Sequence, residues 1–270
     1  MSSEKENAKN PVISIDYKSV SNPVLKYIQS FKSEDAYVDQ NYFLKREHTE
    51  RVISNAEIIC KSLELDDDSV FIAKTAALLH DVGRFSQFTR YQTFNDSLSE
   101  DHAQLAVTII EENQWLEQIS SDFKSIIIKS VLYHNKLAVP KNEDKTTLLH
   151  CNILRDADKI DILDQAVKEF SNVQKRNKAF SLELEDSPIV SKEIAKSILS
   201  GKLPDRKEMK TITDFKLMQL AFVYDLNFKQ SFSIINQRQY LKKIFETLPK
   251  NDQVFDIYRQ VKIHVENQLI

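Results

Sequence analysis

Glycine is scarce in this chain, with only two among 270 residues, and proline occurs six times. Tight β-hairpins depend on glycine at positive φ, so this scarcity argues against sheets that are joined by short turns. Residues that favour helices are abundant instead, and apolar residues make up 41% of the sequence. We therefore predict an all-α fold with a sizeable core.

Cysteine is as rare as glycine. Cys60 and Cys151 lie far apart, each in an apolar helical context, and no Cys-x-x-Cys motif occurs. We therefore expect neither a zinc site built on cysteines nor a redox-active pair, and we predict two free, buried thiols.

Blocks of like charge and long apolar runs are also missing. The chain has 37 basic and 40 acidic residues, a formal net charge of −3, so nucleic acid is not expected as a main partner. No apolar run is long enough to span a membrane, and the polar first ten residues contain no hydrophobic signal region. We expect a cytoplasmic protein without membrane association.

The chain is expected to have three parts. Residues 1–20 are polar and predict a disordered lead-in. Residues 21–180 form the predicted helical core. A weak boundary near 180–190 separates this core from a C-terminal helical extension, residues 181–270, which is expected to pack on it. The extension could cover a pocket or form a homodimer contact, and the sequence leaves both roles open.

Apolar spacings of three and four residues predict the individual helices. They are expected at 41–65, 70–82, 99–117, 121–135, 144–156 and 157–178, and in the extension near 188–200, 213–225, 237–248 and 251–268. The stretch 84–100 has no clear periodicity and predicts a structured loop. Its aromatic side chains could wall a pocket or simply pack the loop onto the domain: Phe85, Phe88, Tyr91 and Phe94.

The dipeptide His80-Asp81 is the strongest functional signal in the sequence. It ends an apolar helical segment that starts at Ala76, and Gly83, one of the two glycines, follows closely. Burying an imidazole and a carboxylate together is costly unless a cation or hydrogen bonds compensate them. The pair is therefore a candidate functional site.

Three further histidines lie on the apolar faces of separate predicted helices. His48 is four residues from apolar neighbours on either side, and His102 and His134 have apolar neighbours at spacings of three and seven. One inward histidine is usually a core residue with a hydrogen-bonded ring, but four on four helices favour a shared site. The other two histidines, His150 and His264, have no such context.

An aspartate on a fifth segment completes this set. Asp158 lies four residues from Leu154 and from Ile162, which places it on a buried stripe. Asp156 and Asp161 lie off that stripe and are interpreted as supporting or helix-capping groups.

The order His48, His80-Asp81, Asp158 resembles the motif of the HD-domain metal-dependent phosphohydrolase superfamily. The neighbouring residues match as well, in the segments HTERV from residue 48, LLHDVGR from residue 78 and ADKID from residue 157. The resemblance covers roughly residues 40–170. It implies an HD-domain helical core, to which the C-terminal helices are an addition.

By this resemblance four residues hold one divalent metal: His48, His80, Asp81 and Asp158. His102 and His134 resemble the ligands of a second metal that Asp81 would bridge, and in a one-metal site they would bind phosphate or transfer protons. Asp81, His102 and His134 are thus the catalytic candidates. Imidazoles with carboxylates suit Mn, Fe, Co, Ni or Zn, so the expected cofactor is one or two divalent transition metals.

The resemblance also implies the reaction. We expect a metal-dependent phosphohydrolase, a phosphomonoesterase or phosphodiesterase, that acts on a nucleotide or small phosphate ester through a metal-activated water. Arg51, Arg84 and Lys159 are expected to bind the phosphate, whereas Lys136 is interpreted as a solvated surface charge. No glutamate stands four residues before His48 and no Gly-Tyr-Pro element follows the Tyr-His-Asn run, so cyclic-di-GMP phosphodiesterase activity is not supported.

Two other functions remain open at this stage. One is a diiron oxygenase on the same helical scaffold, and the other is a non-catalytic regulatory domain whose metal is structural or lost. The complete set of ligand residues argues against loss of the metal.

Overall fold

The computed structural model describes residues 16–171, 177, 179–180, 182 and 184–270. Within these residues the chain is helical and contains no strand, so the predicted all-α fold is confirmed. The helices are α1 (Tyr17–Ser30), α2 (Ala36–Ser62), α3 (Asp67–Leu79), α4 (Val82–Tyr91), α5 (His102–Glu112), α6 (Ser121–Tyr133), α7 (Lys145–Ser171), α8 (Lys192–Leu199), α9 (Ile212–Ala221), α10 (Lys229–Gln237), α11 (Tyr240–Glu246) and α12 (Asp252–Leu269).

Helix α7 lies at the centre of the molecule. It packs against α2, α3 and α6 on one side and against α9, α10 and α11 of the C-terminal part. Both cysteines are buried and free, as predicted. No helix among the described residues has the length and apolar character needed to cross a membrane.

Capping side chains determine where helices α3 and α5 begin. The Asp66 carboxylate accepts a hydrogen bond from the backbone N–H of Ser69 at the start of α3. The Asp101 carboxylate accepts from the N–H groups of residues 103 and 104, so that α5 begins at His102. A capping aspartate typically stabilises a helix by about 1 kcal/mol, and here it also fixes the position of the histidine that follows.

Helix α1 corrects the expected disordered lead-in of residues 1–20. The helix begins at Tyr17, because Asp16 caps it and Val20 starts a stripe of buried side chains that continues with Val24 and Ile28. Residues 17–20 are therefore helical. Residues 1–15 lie outside the described part of the chain.

Helix α4 corrects the loop that was predicted over 84–100. The helix reaches Tyr91, and its Phe85 and Phe88 are fully buried. Its apolar face is only three turns long and lies directly after the previous helix, so the sequence shows no sustained periodicity. Of the two roles left open for the aromatic residues, Phe85 and Phe88 pack the core.

Helix α7 replaces the two helices predicted at 144–156 and 157–178. The sequence around Asp156 resembles an acidic helix start, but its carboxylate accepts hydrogen bonds from distant groups, at 3.0 Å from the N–H of Asn227 and 2.7 Å from the Ser231 hydroxyl. The helix therefore continues through it. The predicted end near 178 lies among residues that the structure does not describe. Helix α10 was not predicted at all.

Gly83 is needed where two helices meet. A Cβ atom at this position would collide with the carbonyl of His102 and with the backbone nitrogen of Ala106. Only glycine lets the start of α4 approach the backbone of α5 so closely. This contact fixes His102 relative to the adjoining His80-Asp81.

Candidate metal centre

Four buried imidazoles converge at one place from four different helices. His48 lies within α2, His80 and His134 cap the C-terminal ends of α3 and α6, and His102 begins α5. Each has at most 5% of its surface exposed. The Nε2 atoms of His48 and His80 are 3.1 Å apart, and those of His102 and His134 are 3.0 Å apart. The structure thus brings together the four histidines that the sequence analysis grouped.

The Nδ1 atom of each ring faces an oxygen atom. The distances are 2.6 Å from His48 to Asp161, 2.8 Å from His80 to the carbonyl of Ala77, 2.6 Å from His102 to Asp96 and 2.7 Å from His134 to the carbonyl of Val131. Carbonyls and carboxylates accept hydrogen bonds, so each Nδ1 carries a proton and each ring directs its Nε2 into the centre. Two Nε2 atoms at this distance need a proton or a metal ion between them, and the donor set therefore fits a metal.

Asp81 lies between the two histidine pairs. Its Oδ2 atom is 3.4 Å from Nε2 of His48 and 3.7 Å from Nε2 of His80. Its Oδ1 atom is 3.6 Å from Nε2 of His102 and 4.0 Å from Nε2 of His134. The two oxygens of one carboxylate thus serve two different pairs of imidazoles.

Asp158 joins the first of these pairs. Its Oδ1 atom is 3.2 Å from Nε2 of His48 and 3.8 Å from Nε2 of His80. Ligand atoms about 2.1 Å from one ion lie about 3.0–3.4 Å from each other, so these separations need little adjustment. His48, His80 and Asp81 form one donor set, and Asp81, His102 and His134 form a second. Asp158 adjoins both histidines of the first set.

Protons compete with metals for these ligands. Burial opposes a charged ring at His48, but hydrogen bonds to Asp158, Asp161 and Asp81 outweigh it and raise the pKa of His48 to about 10. Burial lowers the pKa of His80. Although burial favours the neutral acid, Lys45 and the histidines hold the pKa of Asp81 well below its usual value. The centre therefore presents anionic oxygens, and metal binding would release a proton.

Two carboxylates behind the rings hold them in orientation. Asp161 accepts from His48, from Arg51 Nε at 2.5 Å and from Gln165 Nε2 at 2.7 Å. It therefore supports a ligand, as its position off the buried stripe indicated. Such supporting groups fix the tautomer of a ligating histidine.

Asp96 has the same role for His102, and sequence reasoning missed it. Its carboxylate also accepts from Arg84 Nη1 at 2.8 Å and from Gln87 Nε2 at 2.9 Å. Asp96 begins a short 3₁₀ turn, and no spacing rule links it to His102. Only a general preference for aspartate near ligating histidines could have indicated it.

The three expected phosphate-binding residues lie at different places. Arg51 is held by Asp161, whereas Arg84 Nε lies 3.4 Å from Asp81 Oδ1. Lys159 is buried, with its Nζ 2.7 Å from Asp225 Oδ2. Lys136, interpreted from sequence as a solvated charge, is half-exposed and pairs with Asp101.

Lys45 is a further site residue that the sequence reasoning missed. Its Nζ lies 2.8 Å from Asp81 Oδ2 and 5.0 Å from the centre of the Phe94 ring. Lys45 stands three residues before His48, on the same face of α2. That spacing was the available signal, but lysines at such positions are usually solvated.

Comparison with known proteins supports the reading of this centre. The HD domain family model matches residues 46–163, a range that includes every proposed ligand from His48 to Asp158. Neither a search of curated proteins nor a search of solved structures found a match. HD domains are all-helical, bind divalent metals and are typically metal-dependent hydrolases. The match of residues 46–163 to the HD domain is therefore consistent with the HD-domain metal-dependent phosphohydrolase superfamily.

Proposed function

We propose that this protein is a metal-dependent phosphohydrolase, a phosphomonoesterase or phosphodiesterase that acts on a nucleotide or another small phosphate ester. The observation that carries the proposal is the position of Asp81, whose two oxygens face two separate histidine pairs. This arrangement offers two neighbouring cation sites that share one carboxylate, and two-metal hydrolases use such pairs of sites.

The ligands divide into two sets in this proposal. His48, His80, Asp81 and Asp158 would hold one cation, and Asp81, His102 and His134 would hold the second. When bound, divalent cations lower the pKa of a bound water and neutralise charge on a phosphoryl oxygen.

Neighbouring side chains hold the histidine rings in the orientation and tautomer that metal binding needs. Asp161 and Asp96 retain the Nδ1 protons of His48 and His102, so the Nε2 atoms stay free to act as ligands. Asp81 and all four histidine rings are buried, so bulk water is largely excluded from the centre. Electrostatic interactions with a bound phosphate are correspondingly stronger there than in solution.

Two cationic side chains are suited to orienting the phosphate. Arg84 and Lys45 both approach Asp81, at 3.4 Å and 2.8 Å, and both bring positive charge to the place where phosphoryl oxygens would lie. We assign phosphate orientation to these two. Arg51 is assigned to holding Asp161, with which it makes its closest contact.

Metal analysis of the purified protein, followed by a panel of phosphate monoesters and diesters with Mn²⁺, Co²⁺ and Ni²⁺, tests the proposal. His80→Ala and Asp81→Ala should abolish metal-dependent turnover with little loss of helicity. The matched control is His150→Gln, because His150 is equally buried but lies outside the centre. Unchanged turnover in either ligand variant would contradict the assignment, and dioxygen-dependent turnover with a mixed-valence iron signal would indicate an oxygenase instead.

A further inference from the structure

A cavity of about 120 Å³ opens beside His134. One part of its lining comes from α7 of the HD domain, including Arg155 and Lys159. The other part follows the HD domain in the chain and includes Arg206 and Asp225. The C-terminal extension therefore contributes to a space that adjoins the metal centre.

This cavity carries an excess of positive charge. Its lining contains four cationic side chains and two carboxylates: Lys136, Arg155, Lys159 and Arg206, with Asp205 and Asp225. Lys136 is paired with Asp101 outside the lining, so the excess comes from the other three cations. Two of the cations are buried and share a single carboxylate, because Arg155 and Lys159 both contact Asp225. The remaining contacts of the Arg155 guanidinium are neutral backbone carbonyls.

Arg206 adds to this excess without a partner. Among the described residues, no acceptor lies within hydrogen-bond or ion-pair distance of its side chain. The residue belongs to an exposed 3₁₀ turn, Arg206–Glu208. Arg206 is itself exposed, but it lines the cavity. Burial and the charge of Arg84 lower its pKa, although the carboxylates of Asp158 and Asp96 act in the opposite direction. A guanidinium without a partner that lines the same cavity as the buried Arg155 and Lys159 adds positive charge there, and an anion in the cavity would be attracted by all three.

We propose that Arg206 binds a second phosphate group of the substrate in this cavity, next to the phosphate held at the metal centre. The inference rests on the proposed function, which supplies the phosphate compound as ligand. The cavity is smaller than the roughly 300 Å³ or more of a pocket that encloses a whole small molecule, so it fits one charged group. A guanidinium matches the oxygens of a phosphate with two parallel hydrogen bonds. The favoured substrates are therefore compounds with two neighbouring phosphates.

Calorimetric titration of the full-length, metal-containing protein tests this inference without relying on turnover. The probes are methylenediphosphonate, which carries two phosphonates and resists hydrolysis, and methylphosphonate, which carries one. Arg206→Ala should weaken binding of the diphosphonate at least roughly tenfold, because each charge-assisted hydrogen bond of the pair contributes about that factor. Binding of methylphosphonate should change less than about twofold, within the effect of a distant charge.

Lys207→Ala is the matched control, because it removes the same charge from the same 3₁₀ turn. It should leave the affinity for both probes within about twofold of the wild-type value. Arg206→Lys should bind the diphosphonate with intermediate affinity, since it keeps the charge but loses the paired hydrogen bonds.

Three results would overturn the inference: no binding of the diphosphonate to the wild type, equal losses in Arg206→Ala and Lys207→Ala, or equal losses for both probes in Arg206→Ala. The test is separable from the proposed function. A selective loss of diphosphonate affinity in a protein that hydrolyses no phosphate ester would leave the anion site in place and refute only the activity. Hydrolysis without any selective loss would refute only the role of Arg206.

Discussion

Acidification should destabilise this protein through His150. The residue lies within α7 with 1% of its surface exposed, and neither ring nitrogen has a hydrogen-bond partner among the described residues. Burial lowers its pKa from 6.5 to about 4, because a charged ring would lose its hydration. Between these two values the unfolded chain binds a proton that the folded chain does not, so the free energy of unfolding falls as the pH falls.

The size of the effect follows from the shift. The contribution of neutral His150 is fully retained above the unfolded pKa of 6.5 and is lost as the pH falls towards about 4. The complete shift corresponds to about 3 kcal/mol. Between about pH 7.5 and about pH 5 the expected loss in the free energy of unfolding is about 2 kcal/mol.

Urea unfolding at these two pH values measures this loss, with a chelator present so that metal binding does not contribute. His150→Leu should lose about 2 kcal/mol less than the wild type on acidification, since it cannot be protonated. It should also be more stable at both pH values, because it removes two unpaired polar atoms from the core. His150→Gln should reduce the pH dependence equally without the constant gain. A wild type and variants that lose the same free energy between the two pH values would refute the reasoning.

Three other substitutions test the supports of the site. Asp161→Ala should weaken metal binding about 10–100-fold, because His48 loses the acceptor of its Nδ1 proton; competition with a coloured chelator measures this. Gly83→Ala should destabilise the fold by about 1–3 kcal/mol through its collision with the backbone at His102, as urea unfolding would show. Asp156→Ala should cost about 3 kcal/mol in the same assay, because buried donors of the C-terminal part lose their acceptor. A value within error of the wild type in any of these would contradict the corresponding contact.

The inward position of the four histidines of the candidate centre could be predicted because each lies on the apolar face of a helix. His48 and Asp158 lie four residues from apolar neighbours. Residues at this spacing share one face of a helix, and in the fold that face is buried. The convergence of separate stripes on one point does not follow from periodicity alone. The number of inward histidines favoured a shared site, and the resemblance to a family motif, which the family model matches, specified its members.

The supports of the ligands could not be predicted in the same way. Asp96 meets His102 through a 3₁₀ turn, and Lys45 meets Asp81 across two helices. Both contacts depend on tertiary packing, and neither residue differs in sequence from an ordinary surface charge. Helix α4 was missed for a related reason. Its apolar face is too short to show a periodicity in the sequence and is recognised only by its packing against α5 and α2.

Helix α7 explains why the C-terminal extension matters to the centre. Within one turn and a half it carries Asp156, which binds the start of α10, and Asp158, which faces the histidines. Arg155 and Lys159 on the same helix share Asp225 with the extension. A displacement of the extension would therefore remove the acceptor of two buried cations that stand three residues before Asp158 and one residue after it. Because an unpaired buried charge is strongly destabilising, the position of Asp158 and the packing of residues 225–231 depend on each other.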